Sequence, residues 1–222
     1  MKPNFEAYKV DDARPYGWRL VGITALLVCL MTAALLVFYG AGEEGLRSVI
    51  RNTARTSFAL FVAGFAGPAL AALWPARSTR RLAAGQSYLF AAFAASHLVH
   101  AAAIFTLAWQ TGGASLGDRD AAVVAAGGLV YLFILAAALP AFPRARLWLA
   151  SHPKAGAARA VGLYLVWLTF ADSYGGRAAR SLLYVPFALV LLAALALRLV
   201  AAVKRRAVAP SADDPRRRAL RV

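Results

Sequence analysis

The sequence has little charge, few acidic residues and a single cysteine. Only 16% of its 222 residues are charged, against about 25% in a soluble domain, so polar groups are too scarce to cover a water-soluble fold of this size. Cys29 has no second cysteine with which to form a disulfide, so it leaves the redox compartment open. The sequence also predicts no secretory signal peptide, because the first apolar run is too long for one and no cleavage site follows it.

Hydrophobic residues make up 61% of the chain and gather in six apolar runs. These runs are Trp18–Gly40, Arg55–Trp74, Ala83–Trp109, Ala121–Phe142, Ala160–Tyr174 and Leu182–Val203. A hydrocarbon core of about 30 Å needs about 20 helical residues, and backbone groups in lipid must hydrogen-bond within their own segment. The fifth run meets this length only if it extends from about Ala157 to Gly176. The sequence therefore predicts an all-α bundle of six transmembrane helices in a lipid bilayer.

The net charge of +15 is distributed unevenly between the two sides of this bundle. The side with both termini would carry 18 Lys and Arg residues and the other side 6, with Arg198 set aside because it lies in the last helix and can snorkel toward the cytoplasm. Basic residues favour the cytoplasmic side. We therefore expect both termini in the cytoplasm, a bacterial inner (plasma) membrane location and no nucleic-acid partner.

Three segments follow from this topology. Residues 1–17 form a cytoplasmic N-terminal segment, residues 18–203 the transmembrane domain, and residues 204–222 a basic tail that lacks apolar periodicity and is predicted to be disordered. In the first external loop, Glu43–Asn52 places Leu46, Val49 and Ile50 at helical spacing. That loop is predicted to form a short amphipathic helix at the outer interface.

Two histidines are the most informative polar residues within the predicted helices, because polar groups in a bilayer are costly and each is a functional candidate. His97 and His100 lie near the middle of the third helix, three residues apart and about 60° apart around its axis. Two imidazoles on one face suit a metal ion or an axial haem ligand. The alternative is that both hydrogen-bond neighbouring helices and only assist packing.

Asp172 is the only acidic residue in the six apolar runs, near the outer end of the fifth helix. It is predicted to form an ion pair with Arg55, at the outer start of the second helix, or with a loop arginine (Arg177 or Arg180). An alternative is that Asp172 orients His100 or relays a proton. The third histidine, His152, lies in a cytoplasmic loop and is predicted to be solvated.

Four short motifs are similar to those of a known membrane family. They are Arg55-Thr-Ser-Phe58, Trp74-Pro75, Ser96-His97-Leu-Val-His100 and Gly162-Leu-Tyr-Leu-Val-Trp167-Leu-Thr-Phe170. Together these regions resemble the ferric-reductase-like transmembrane family, whose relatives include the haem-binding membrane subunit of the periplasmic methionine sulfoxide reductase and the membrane halves of NADPH oxidases. The resemblance covers about half of the chain and agrees with six helices and a cytoplasmic N-terminus.

The resemblance implies b-type haem between the third and fifth helices, with electrons passing toward the outer face. It implies that His100 is the haem ligand in the third helix, with His97 as a second candidate. This chain departs from the family in its fifth helix. Ala158-Arg159 stands where relatives carry Leu-His, and Asp172 stands where the haem subunit has a further histidine. The paired arginines at the start of the family's third helix align with Gln86 and Ser87.

Two main functions follow from these observations. The first is a haem b protein that takes part in transmembrane electron transfer with partner redox or membrane subunits, which would make it a component of a membrane oxidoreductase. The second is a haem-free relative that serves as a structural or assembly subunit of a membrane complex. A transporter is a third alternative, but broken helices and repeat symmetry, which are typical of transporters, are not evident in the sequence.

Overall fold

The computed structural model describes residues 14–114 and 121–208, and these residues form helices and connections with no strand. The described α-helices are α1 (Arg14–Tyr39), α2 (Glu43–Leu73), α3 (Arg77–Ala84), α4 (Gln86–Gln110), α5 (Ala121–Ala138), α6 (Pro143–Ser151), α7 (Pro153–Ala178) and α8 (Val185–Val208). Short 3-10 turns at Leu139–Ala141 and Leu182–Tyr184 precede α6 and α8. The all-α prediction is confirmed for this part of the chain.

Four described helical segments are long and apolar enough to cross a membrane. They are Gly17–Tyr39, Glu43–Leu73, Gln86–Gln110 and Leu182–Ala207. A fifth span arises if Gly127–Ala141 and Pro143–Ser151, which meet at a bend of 103°, are taken as one broken span. These helices are compatible with a multi-pass integral membrane protein in a lipid bilayer.

The helix bounds differ from the predicted ones where polar residues continue a helix. The Glu43–Asn52 segment forms the first turns of α2 rather than a separate interfacial helix, because no residue after it breaks the helix. Its Leu46 and Val49 are buried within the protein. The motif beginning at Arg55 therefore lies well inside α2 and does not open it. Similarly, α8 continues to Val208, so residues 204–208 of the predicted disordered tail are helical, whereas residues 209–222 lie outside the described part.

Five long helices form a closed ring. Along it, α2 packs against α4, α4 against α5, α5 against α7, α7 against α8, and α8 returns to α2, while α1 packs on the outside of α2 and α4. We call the end of the ring that holds the α1–α2 and α7–α8 connections the outer end, following the predicted orientation, and the opposite end the inner end. Both α4 and α7 run antiparallel to α2, which brings their outer halves together.

Aromatic side chains fill the middle of this ring. Phe61 of α2, Phe93 of α4 and Phe170 of α7 contact one another, with ring centroids 5.2 to 6.0 Å apart. All three rings are buried. We call these three residues the aromatic plug. One of its rings, that of Phe170, also lines a cavity on the outer side of the plug.

A proline in the inner half of α2 leaves one backbone carbonyl without its helical donor, and a side chain of α4 donates to that carbonyl instead. Pro68 has no N–H to donate to the carbonyl of Gly64, four residues earlier. The side-chain amide of Gln86, at the start of α4, donates to that carbonyl at 2.9 Å. Gln86 therefore stabilises the contact between α2 and α4 near the inner end.

Candidate functional site

A cavity of about 480 Å³ lies on the outer side of the aromatic plug, between α2, α4 and α7. Its lining brings together both membrane histidines, three arginines and apolar or hydroxyl side chains. The lining residues are Arg47, Ile50, Arg51, Ala54, His97, His100, Ile104, Leu107, Thr169, Phe170, Ser173, Tyr174, Arg177 and Tyr184. We call it the outer cavity.

The hydrogen bonds of His100 determine which of its ring nitrogens carries the proton. Its Nδ1 lies 3.1 Å from the carbonyl oxygen of Ile50 and 3.0 Å from the hydroxyl of Thr53, both on α2. A carbonyl can only accept, and the Thr53 hydroxyl already donates to the Val49 carbonyl at 2.7 Å. His100 Nδ1 therefore donates a proton, and in the neutral ring the lone pair is on Nε2. The α2 contact orients the imidazole and leaves one nitrogen able to bind a ligand.

His97 is held by rings rather than by hydrogen bonds. Its imidazole stacks on that of His100 with centroids 4.9 Å apart and planes inclined by 24°. Phe93 and Tyr131 contact it at 5.3 and 5.0 Å. Its Nδ1 is buried and has no hydrogen-bond partner among the described residues. A buried polar nitrogen left unsatisfied costs about 1–3 kcal/mol, so His97 would gain from a ligand that supplies a partner.

Tyr174 of α7 is a second lining residue with an unsatisfied polar atom. The residue is 2% exposed, and its hydroxyl has no partner in the described part of the chain. Its ring packs against Phe58 at 4.9 Å and lies nearly parallel to Phe187 at 4.9 Å. The aromatic packing fixes the phenol, and its hydroxyl could form a hydrogen bond with a molecule bound in the outer cavity.

Arginines give the outer cavity a positive lining. Arg47 is compensated by an ion pair with Glu43, at 2.6 Å. Arg177 lies over the rings of Tyr174 and Tyr184, with its guanidinium carbon 6.0 and 5.7 Å from their centroids. Arg51 has no ion-pair partner among the described residues. An anionic group at this end of the cavity would be stabilised by Arg51 and Arg177.

At most one histidine of this pair could bind the iron of a haem placed in the outer cavity. Axial ligands approach the iron from opposite faces of the macrocycle, whereas His97 and His100 stack side by side on the same helix. Facing them, α7 supplies Thr169, Phe170, Ser173 and Tyr174, and a tyrosine hydroxyl is the only one of these side chains that commonly binds haem iron. No group of three or more His, Cys, Asp or Glu side chains comes together in the described residues.

The predicted ion pair of Asp172 is wrong. Asp172 is exposed and forms no ion pair with Arg55, Arg177, Arg180 or any other described residue. The physical reason is the helical period: Phe170 and Tyr174 face the ring interior, and a residue midway between them points about 200° away. Asp172 therefore faces outward, and the alternative in which it orients His100 fails for the same reason.

His152 is exposed at the inner end, between α6 and α7, as predicted. Its Nδ1 interacts with the Trp148 carbonyl at 2.8 Å, and its ring stacks on Trp148 at 4.6 Å. It lies at the opposite end of the bundle from the outer cavity.

The sequence did not identify Tyr174 or Thr53 as site residues, and it named Arg177 only as a possible ion-pair partner of Asp172. Tyr174 follows Phe170 by four residues and Val166 by eight, so the helical period places it on the buried face of α7. This spacing could have identified Tyr174 as a residue that faces the interior of the bundle. Thr53 had no comparable signal, because its contact with His100 depends on the register between two helices.

The chain matches no protein-family model, no curated protein and no solved structure. The resemblance to the ferric-reductase-like family therefore depends only on the motifs described above.

Proposed function

We propose that this chain is a ferric-reductase-like integral membrane protein that binds haem b in the outer cavity and takes part in electron transfer toward the outer face. The observation that carries the proposal is the orientation of His100, whose Nδ1 donates to α2 and whose Nε2 is free to bind. A hydrogen bond from the second ring nitrogen to a backbone carbonyl is typical of histidines that bind metals.

Each part of the cavity has a role under this proposal. His100 would supply the axial nitrogen, and His97 would stack beside it and limit movement of the ring. Phe170 and Ile104 supply apolar walls, and Arg51 and Arg177 would attract the carboxylates of a haem. Bound haem supplies a reversible one-electron centre, and the protein tunes that centre through its axial ligand and burial.

We further propose six spans with both termini in the cytoplasm of a bacterial inner membrane. The 18-to-6 distribution of basic residues supports this orientation. It requires α7 to cross the membrane although Arg159 and Asp172 lower its apolar character. A crossing α7 would place the α7–α8 connection outside.

Cysteine labelling tests this topology. In a Cys29→Ser background, Ser181→Cys and Ser211→Cys place single thiols in the α7–α8 connection and in the tail. A membrane-impermeant maleimide should label position 181 in intact cells and position 211 only after permeabilisation. Labelling of position 211 in intact cells would refute the orientation, and protection of position 181 would refute the six-span count.

Absorption spectroscopy tests haem binding. The purified chain, expressed with sufficient haem, should show a Soret band that shifts on reduction. His100→Ala should abolish the band, His97→Ala should shift or weaken it, and His152→Ala serves as the matched control and should leave it unchanged. An unaltered band in the His97→Ala/His100→Ala double variant would remove α4 from the site.

The second candidate function is a haem-free subunit of a membrane complex. The composition of α7 favours this function. Among the described residues, the face of α7 that lies opposite the two histidines supplies no histidine, methionine or cysteine to the outer cavity as a second iron ligand. This function predicts that the folded chain takes up no haem under any expression condition and co-purifies with other membrane subunits.

A further inference from the structure

The register of α4 against α7 places two lining residues of the outer cavity at one depth. The His97 and Phe170 rings contact each other, with centroids 6.3 Å apart, and so mark one level of the two helices. His100 lies three residues beyond His97, and Tyr174 lies four residues beyond Phe170, both toward the outer end. At the helical rise these steps are about 4.5 Å and about 6 Å, so the two residues differ in depth by about 1.5 Å.

His100 and Tyr174 line the same cavity from two different helices. The His100 ring stacks on that of His97 at 4.9 Å, and the Tyr174 ring stacks on that of Phe170 at 6.2 Å. A continuous series of ring contacts therefore connects the two residues along the cavity wall. The two axial ligands of a haem iron approach it from opposite faces of the macrocycle. Tyr174, on the helix that faces α4 and at the depth of His100, is placed to serve the second face.

The phenol of Tyr174 is held by packing, but its oxygen has no partner. The residue is 2% exposed, and its ring contacts those of Phe58 and Phe187, each with a centroid distance of 4.9 Å. No described residue hydrogen-bonds to its hydroxyl. A buried hydroxyl without a partner destabilises the folded state. Coordination of the oxygen to a metal ion would remove that penalty.

A positive charge lies beside the Tyr174 ring. The guanidinium carbon of Arg177 is 6.0 Å from its centroid, and no acidic side chain is among the described residues that line the cavity. Tyrosine binds haem iron through its oxygen, and a neighbouring guanidinium would offset the negative charge of a phenolate ligand. Tyr184 lies near the same guanidinium, at 5.7 Å, but it is only half-buried and lies in the α7–α8 connection.

We propose that Tyr174 is the second iron ligand of a haem bound in the outer cavity, on the face opposite His100. This inference rests on the proposed function, because it requires bound haem. His100 anchors the haem, since its bonds to α2 orient the imidazole, and Tyr174 completes the coordination.

Ligation by Tyr174 breaks the phenol O–H bond and forms a bond between the phenolate oxygen and ferric iron. The proton passes to water at the outer end, and no electron is transferred. An oxygen ligand exerts a weaker ligand field than a second imidazole, so this pair of ligands is expected to leave ferric iron high-spin.

Resonance Raman spectroscopy of the purified, oxidised and haem-loaded chain tests this ligand. Excitation within a phenolate-to-iron charge-transfer band enhances the vibrations of a bound phenolate, and these vibrations should be present in the unmodified chain. Tyr174→Phe should lose them and should retain a Soret band through His100. Tyr184→Phe is the matched control, because Tyr184 lines the same cavity beside the same arginine, and it should keep the vibrations.

Tyr174→His tests the geometry by a gain of signal. A second imidazole on the face opposite His100 should convert the high-spin ferric signal in electron paramagnetic resonance to the low-spin signal of two histidine ligands. Tyr184→His should leave the signal high-spin. A haem-loaded Tyr174→His variant that stays high-spin would place this side chain away from the iron and overturn the proposal.

Thermal unfolding of the haem-free chain gives a readout that does not depend on haem. Tyr174→Phe keeps the ring that packs on Phe58 and Phe187 and removes only the unpartnered hydroxyl. Its melting temperature should therefore equal or exceed that of the unmodified chain.

Three further results would overturn the proposal and leave haem binding intact. The first is a Soret band without phenolate vibrations in the unmodified chain, and the second is phenolate vibrations that survive in Tyr174→Phe. The third is a haem-free Tyr174→Phe variant that melts clearly below the unmodified chain, which would show that the hydroxyl already has a partner within the protein. A folded chain that takes up no haem would instead refute the proposed function, and this inference with it.

Discussion

Replacement of Gly162 by alanine should destabilise the bundle, because α7 packs closely on α5 at this point. A methyl group on Gly162 would overlap the ring of Phe133 and would also lie 3.0 Å from Cγ and 3.2 Å from Cβ of that side chain. Rotation of the ring moves neither of those two atoms far. The helices must therefore separate slightly, and such overpacking costs about 1–3 kcal/mol.

Gly175 in the same helix is the matched control, because a methyl group there would meet no atom within 4 Å. Both substitutions gain helix propensity of roughly 0.5–1 kcal/mol, although Gly175 is nearer the helix end. The difference in melting temperature between the two variants therefore measures the destabilisation that the overlap with Phe133 causes. For a chain of this size, about 2–4 °C of melting temperature corresponds to 1 kcal/mol, so Gly162→Ala should melt below Gly175→Ala by roughly 2–12 °C.

Circular dichroism at a helix wavelength during heating in detergent micelles measures this difference. The comparison uses one detergent and one heating rate, since unfolding of membrane proteins is often irreversible and depends on rate. If Gly162→Ala melts at or above Gly175→Ala, the close approach of α5 and α7 described here is wrong.

Three further predictions concern contacts between the helices. Ser57 and Ser96 share a buried hydrogen bond of 3.0 Å between α2 and α4. A double-mutant cycle to alanine, measured by chemical unfolding, should therefore give a coupling free energy of about 0.6 kcal/mol. A coupling of zero would contradict the contact. Gln86→Leu should cost about 1–3 kcal/mol in the same assay, because it leaves the proline-freed carbonyl of α2 without its donor. Asp172→Asn should change stability by less than about 0.5 kcal/mol and should add to Arg55→Gln without coupling; a measurable coupling would show that the two side chains meet.

The sequence predicted helices at all six apolar runs, because long apolar stretches have few structural alternatives. It did not predict their ends. The polar residues of Glu43–Asn52 continue α2 without a break, and hydropathy alone does not distinguish a helix that leaves the membrane from one that stops.

The candidate site was predicted in part. The spacing of His97 and His100 on one face was sufficient to bring both to one cavity. The sequence could not reveal that the two rings stack, nor that His100 bonds to α2, since both depend on side-chain rotamers and on the register of α2 against α4. For Asp172, rarity within an apolar run was mistaken for burial, whereas its angular position relative to Phe170 already indicated an outward direction.

Electron paramagnetic resonance of the oxidised, haem-loaded protein tests the central claim most directly. With His100 as the single histidine ligand, we expect a high-spin ferric signal. His100→Ala should lose both the bound haem and this signal, and His152→Ala should keep both. A low-spin signal typical of two histidine ligands would contradict the geometry of the outer cavity, in which both membrane histidines lie side by side on α4. Folded protein that takes up no haem would contradict the proposed function itself.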